Sequence, residues 1–311
     1  MWASLLLTAC QAGHVNTAHF NDWLSPFYED HELVGKIWDA RNNVWVAEQQ
    51  LFDELPEYRF ILLGEAHDNP DHHQLQARML NRLATTGEKP AVVMEMLAQE
   101  AWHGQPAYWT DLESLQKQAV LQNARWPWDL YTPLLQSVVN HGLELVPGNV
   151  KRETLREQVP DLGPGWRKEL IARYSVPAQG LRQLEQEITE SHCGYVDSDY
   201  IGFMVAAQLQ RDRVLTSALA SSRTPVVLIA GNGHVRNDYG VPIQLKNAYR
   251  HDSFLSVALI PVQPDRLMPD DYLEGVQNAF DILYFTPSHS DEDPCERFKG
   301  QLKNLRKGDT K

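Results

Sequence analysis

The chain is short of cysteine, of basic charge and of long apolar runs, and each shortage excludes a class of protein. Three cysteines in 311 residues (Cys10, Cys193 and Cys295) are too few and too far apart for a zinc site or a disulfide scaffold. No run of about 18 apolar residues occurs, so no segment reads as a membrane span. Lys and Arg number 28 against 41 Asp and Glu, a net charge of −13 with His neutral. A nucleic-acid partner needs a basic face to displace phosphate counterions. Only the stretch 297–311 leans basic, so no nucleic-acid partner is expected. The chain also lacks Gly-x-Gly-x-x-Gly, a P-loop, His-Glu-x-x-His and a Gly-x-Ser-x-Gly elbow. Nucleotide cofactors and the commonest zinc and serine hydrolases are excluded with them.

What is present has globular proportions, with 43% apolar and 22% charged residues. Six short apolar or β-branched runs read as strands: Arg59–Leu63, Ala91–Met94, Leu143–Val146, Val226–Ala230, Phe254–Pro261 and Ile282–Phe285. Helix-length segments fall between most of them, at Asp71–Ala84, Tyr131–His141, Asp199–Ala220 and Pro242–Tyr249. Continuous apolar strands alternating with helices predict an α/β fold, a mainly parallel sheet with helices on both faces. Lys36–Trp38 and Val44–Val46 read as a hairpin added to that sheet. The α/β core is expected over 35–150 and 199–286, with 151–198 as a smaller helical insertion or lid. Asp197, Ser198 and Asp199 read as the N-terminal cap of the long helix that follows. Residues 287–311 read as a flexible polar tail.

In open α/β sheets, sites gather at the carboxyl ends of strands. The first of the six runs leads into Gly64-Glu65-Ala66-His67-Asp68, and the second ends at Glu95. The third ends at Pro147-Gly148-Asn149, and the fourth at Gly231-Asn232-Gly233-His234-Val235-Arg236. Glu65, His67, Asp68, Glu95, Asn149, His234 and Arg236 are therefore expected on one edge of the sheet. Such a set offers ligands for a divalent metal or a general base oriented by a carboxylate. It could equally cross-link the strand ends through buried hydrogen bonds.

Trp126-Pro127-Trp128-Asp129-Leu130-Tyr131 is the second informative stretch. It could form the flat apolar wall that haem needs, with a Tyr ligand for ferric iron. It could equally be a helix start buried in the core. His192-Cys193-Gly194-Tyr195 adds further ligand atoms. Without Cys-x-x-Cys-His, any haem would be held non-covalently, as b-type.

Residues 1–10 resemble a bacterial lipoprotein signal peptide. Leu7-Thr8-Ala9-Cys10 matches the lipobox, and Cys10 would carry the lipid. The basic n-region of such a signal is missing, since the first Lys or Arg is Lys36. Residues 11–34 would form a tether. In an exported protein Cys193 and Cys295 could pair, but the charged surroundings of Cys295 favour two unlinked thiols.

From Gly64-Glu65-Ala66-His67-Asp68, Glu95 and Trp128–Tyr131 through His192-Cys193-Gly194 to the run Gly231–Pro242, the chain resembles the ChaN-like haem-binding uptake lipoproteins. Their superfamily also holds erythromycin esterases and Tiki metalloproteases. The resemblance implies haem bound by a Tyr, two haems stacked in a homodimer, and anchorage through a lipidated Cys. Tyr131, then Tyr195, then His192 are the candidate axial ligands of the haem iron. The anchor implies the cell envelope, at the outer membrane by the sorting preference for Gln11, with an outer-membrane haem receptor as a possible partner. The rival reading within the superfamily is a hydrolase, metal-dependent or His-based, using Glu65, His67, Glu95 and His234.

Overall fold

The apolar runs align as one sheet of eight strands: β1 (Ile37–Asp39), β2 (Val44–Val46), β3 (Phe60–Glu65), β4 (Ala91–Ala98), β5 (Glu144–Asn149), β6 (Val226–Gly231), β7 (Phe254–Pro261) and β8 (Ile282–Thr286). Their order is β2-β1-β8-β7-β3-β6-β4-β5. From β8 to β5 every pairing is parallel, and the β1–β2 hairpin adds to β8 antiparallel. This computed structural model describes residues 22–300, apart from 88, 125, 197, 250–252, 274 and 298. Cys10, residues 11–21 of the expected tether, the Asp197 cap and residues 301–311 of the tail lie outside the described residues.

Strand side chains alternate between faces, and here both faces are covered. Ile61 and Leu63 of β3 join Val92 and Met94 of β4 in one apolar cluster. Phe60 and Leu62 join Val93, Leu228 and Ala230 in another. Helices Pro70–Thr85 and Thr132–His141 cover the first face through Leu75, Met79, Leu80, Leu134 and Val138. The long helix Ser198–Ser221 and helix Val241–Ala248 cover the second through Leu215, Leu219, Val241 and Leu245. Each fully buried Leu, Ile or Val stabilises by roughly 1.5–3 kcal/mol, and the strands and the helices that cover them both contribute such residues to the core. Local signals set the helix limits. Asn69 accepts from the Asp71 N–H ahead of Pro70, and Gly142, at φ +57°, ends the second helix.

Within 151–198 lie helices Arg152–Gln158, Trp166–Tyr174 and Ala178–Ser191. Leu155, Leu170, Leu181 and Leu184 pack on Val205 and Leu209 of the long helix, a third apolar cluster. The chain runs β3→β4→β5 towards one side of the sheet and β6→β7→β8 towards the other. The reversal leaves a crevice at the carboxyl ends of β3, β6 and β7.

Three expectations need correction. Cys193 and Cys295 are joined in a disulfide, with Cα atoms 5.7 Å apart; the fold brings the end of the insertion against the tail, which sequence distance concealed. The described part of the tail is tied down, not loose. Ser288 bridges to Phe27, the helix Pro294–Arg297 carries the disulfide, and Arg297 pairs with Asp68 at 2.8 Å. The tether's described part also belongs to the fold, because the Leu24 and Ser25 amides donate to buried Asp71 and Leu33 is buried.

Closing a loop of this size by a disulfide removes unfolded-state entropy, on the order of 4–5 kcal/mol for about 100 residues. Thiol titration of the unfolded, unreduced chain should find at most one free cysteine, Cys10. Three free thiols would overturn the pairing. Cys295→Ser should unfold at lower denaturant than the unreduced parent chain.

Candidate functional site

The site begins at the last residue of β3. Side-chain alternation turns Glu65 towards the helix Pro70–Thr85 and buries it. Tyr131 Oη donates to its Oε1 at 2.5 Å, Gln76 Nε2 donates to Oε2 at 2.8 Å, and His67 Nδ1 lies 2.8 Å from Oε1. Burial alone would raise this carboxyl, but the charges and hydrogen bonds of His73 and His67 outweigh it. They hold Glu65 well below the usual carboxylate range. An ionised Glu65 fixes the His67 tautomer: Nδ1 carries the proton and Nε2 is the free end. The His67 side chain is 36% exposed, the accessible member of the cluster. Trp126 packs edge-on against it, with ring centroids 4.7 Å apart.

Two strands across the sheet, at β4, alternation works the other way. Glu95 faces the long-helix side, where its Oε1 lies 3.2 Å from His234 Nε2 and its Oε2 accepts the Gly231 amide at 2.9 Å. His234 Nδ1 lies 2.6 Å from Oδ1 of buried Asp212. Both ring nitrogens therefore meet acceptor-only groups, and the imidazolium satisfies both. Burial disfavours that charge, but Glu95 and Asp212 push the His234 pKa up to about 10. Burial lifts the Asp212 carboxyl to about 6 against the pull of His234. Glu95 is lowered, His234 again outweighing burial.

β6 runs between β3 and β4, and it ends in a residue with no side chain. A Cβ on Gly231 would stand 3.0 Å from His67 Nε2. This notch lets His67 reach across β6 to within 3.9 Å of Glu95 Oε2. The result is an oriented imidazole whose free nitrogen faces a carboxylate, suited to general-base work or to ligation.

The fold thus brings Glu65, His67, Glu95 and His234 together. Asn149 joins through the backbone, donating to the Glu95 carbonyl at 3.1 Å. Asp68 does not join; it turns outward to Arg297. Arg236 is held instead by Asp238, with Nε and Nη2 each donating at 3.0 Å. Sequence reasoning missed Asp212, His73 and Gln76. Asp212 lies on the helix stripe of buried Val205 and Leu209, and an acid on an apolar stripe is a readable signal. Among the described residues no three His, Cys, Asp or Glu side chains are arranged to hold a metal ion.

The three candidate iron ligands differ sharply. Tyr131 is fully buried against Trp128 and His73, with its hydroxyl on Glu65. Its stretch leads into the helix Thr132–His141, and of the expected aromatic wall Trp126 packs on His67 while Tyr131 bonds Glu65 from inside the core. Tyr195 is half-buried in the turn after helix Ala178–Ser191. In the same turn His192 Nδ1 donates to the Ile188 carbonyl at 2.7 Å, which leaves Nε2 as its acceptor end. That donor set, a phenol and a fixed imidazole tautomer beside a disulfide, fits ferric haem without covalent attachment.

Because the His234 pKa is raised in the fold, its stabilising contribution is complete below the ordinary 6.5 and is lost as pH climbs through about 10. Nitrogen NMR at pH 8 should show both ring nitrogens of His234 protonated. A neutral ring at that pH would contradict the two-carboxylate cradle.

A family profile described as haem-binding uptake, Tiki superfamily, ChaN matches residues 51–245. No curated protein matches. Among solved structures, ChaN of Campylobacter jejuni, described with cofacial haem binding, superimposes with a TM-score of 0.63 at 20% identity, covering 80% of this chain and 95% of that one. The type III effector HopBA1 gives 0.42 at 12% identity over 76% and 92%. The erythromycin esterase EreC in its open conformation gives 0.39 at 11% over 79% and 94%. The profile spans β3 to β6 and every member of the Glu/His cluster, and on that match the chain belongs to the ChaN family of haem-binding uptake proteins in the Tiki superfamily.

Proposed function

We propose that this protein captures haem as a b-type, non-covalent cargo for uptake or storage, with Tyr195 as the axial ligand. The observation that carries the choice of residue is the turn at 192–195. It is held by the Cys193–Cys295 disulfide, and among the described residues nothing hydrogen-bonds the Tyr195 hydroxyl. This reverses the order expected from the sequence. Tyr131 would have to leave the core and strip a donor from ionised Glu65, which costs roughly 1–3 kcal/mol or more. Haem supplies the iron and its affinity for a phenolate; the chain's part is to bind it, orient it and exclude water. The homodimer with stacked haems, the lipid anchor on Cys10, an outer-membrane position and a receptor partner belong to the same proposal. They are supported by the family resemblance and by the lipobox.

Hemin titration of the full chain, read by absorbance and gel filtration, tests this. A saturable Soret shift with a monomer-to-dimer change is expected. Tyr195→Phe should abolish the wild-type Soret position, whereas Tyr131→Phe should keep it and lower thermal stability. The reverse pattern would transfer the ligand role to Tyr131, and loss in His192→Ala alone would transfer it to His192.

A second reading rests on one observation, the exposed His67 imidazole oriented by buried Glu65 next to Glu95 and His234. That arrangement supports a His-based hydrolase, with Nε2 of His67 as general base. Turnover of an ester or peptide probe that His67→Ala abolishes, with hemin affinity unchanged, is the outcome this reading expects. No turnover by the wild-type chain across a panel of such probes would sink it.

A further inference from the structure

A second concavity lies on the same edge of the sheet, at the carboxyl ends of β6 and β7 beside Gly233. It is a cleft of about 180 Å³ between the turn after β6 and the segment after β7, with Glu187 of helix Ala178–Ser191 on its wall. Arg236, Arg266 and Glu187 are its charged residues, among polar neighbours that include Asn232 and Gln263, and Ile260, Tyr272 and Phe280 form its apolar wall. Asp238 and, at 3.9 Å, Glu187 answer the Arg236 guanidinium, which leaves Arg266 as the cation of the lining that a ligand could pair with. Arg236 is buried and locked in place by Asp238, its guanidinium 5.5 Å from the Phe280 ring. Arg266 stacks over Tyr272 at 5.5 Å, and the Tyr272 hydroxyl pins its backbone by donating to the Arg266 carbonyl at 3.0 Å. Among the described residues no carboxylate pairs with Arg266.

The volume and the lining together select a ligand class. A pocket for a whole small molecule holds about 300–1,000 Å³, so this cleft is sized for an arm of a larger ligand. Its apolar wall favours a methylene stem, and Arg266 favours a carboxylate at the end of it. A free inorganic anion would leave that wall without a partner. Position matters too. Glu187 precedes His192 by five residues on one helix, a rise of about 7.5 Å at 1.5 Å per residue. The turn carrying Tyr195 and the cleft are thus close enough for one porphyrin to span both.

We infer that this cleft is a carboxylate subsite that seats a propionate arm of the bound haem, with Arg266 as the pairing side chain beside the rigid, Asp238-held Arg236. The inference rests on the haem reading above and goes beyond it, because nothing in the family match assigns a role to either arginine.

Hemin and hemin dimethyl ester, whose propionates carry no charge, are titrated into the full wild-type chain and into Arg266→Ala and Arg266→Lys. Wild type should bind hemin about tenfold more tightly than Arg266→Ala, the scale of one charge-assisted hydrogen bond. Arg266→Lys should recover part of the difference. The ester should bind wild type about as weakly as hemin binds Arg266→Ala, and should not distinguish the two proteins. The wild-type comparison of hemin with its ester needs no variant, so it decides even if Arg266→Ala folds poorly. Equal affinity for hemin and ester, or for hemin in wild type and a folded Arg266→Ala, overturns the subsite while leaving haem binding intact. No Soret change in wild type with either compound overturns the haem reading and the subsite together.

Discussion

A carboxylate sealed from water must have its charge answered within the protein, and two such groups set the plan of this sheet edge. Glu65 and Glu95 are both ionised and nearly inaccessible. An unanswered charge there would cost several kcal/mol. Glu65 therefore needs Tyr131, Gln76 and His67, which ties β3 to the two helices on one face. Glu95 needs His234 and the Gly231 amide, and His234 in turn needs Asp212, which ties β4 and β6 to the long helix on the other face. The same contacts that satisfy the charges also join the layers.

The two networks meet because β6 offers no obstacle between them. A side chain at 231 would press on the His67 ring at 3.0 Å and push it off the strand end that it bridges. Gly64 plays a matching part on β3. A Cβ there would stand 2.2 Å from Asn232 Oδ1 and 2.7 Å from Val235. Without that room the turn carrying His234 could not fold back against the sheet. Two missing side chains thus make room for the site that two carboxylates and two imidazoles occupy.

Around this rigid edge lie the pieces that would meet a ligand. The insertion contributes the turn with His192 and Tyr195 and the helix with Glu187. The tail reaches the same region through the disulfide and the Arg297–Asp68 pair. Surface ion pairs such as the latter contribute little, about 0–1 kcal/mol. The covalent link does most of the work of holding the tail. The Glu65 carboxylate is answered by Tyr131, Gln76 and His67, while His67 Nε2 stays free at the site's open side.

Most of the sheet was legible before folding. Continuous apolar runs and the alternation of strand with helix give its strands and parallel character, because buried parallel strands have no polar face to interrupt the pattern. Grouping the acids and imidazoles at strand ends followed from the same periodicity. The local code could not say which way each side chain turns at a strand end, since one residue of extra strand reverses its face. β3 and β4 each continue into their acids, so Glu65 and Glu95 point to opposite layers. Tyr131 looked like an available ligand and proved to be a core donor, and Cys193 and Cys295 looked unrelated at a separation of 102 residues. Those outcomes depend on which elements pack together across the sheet, and packing partners far apart in the chain leave no periodic trace in either segment.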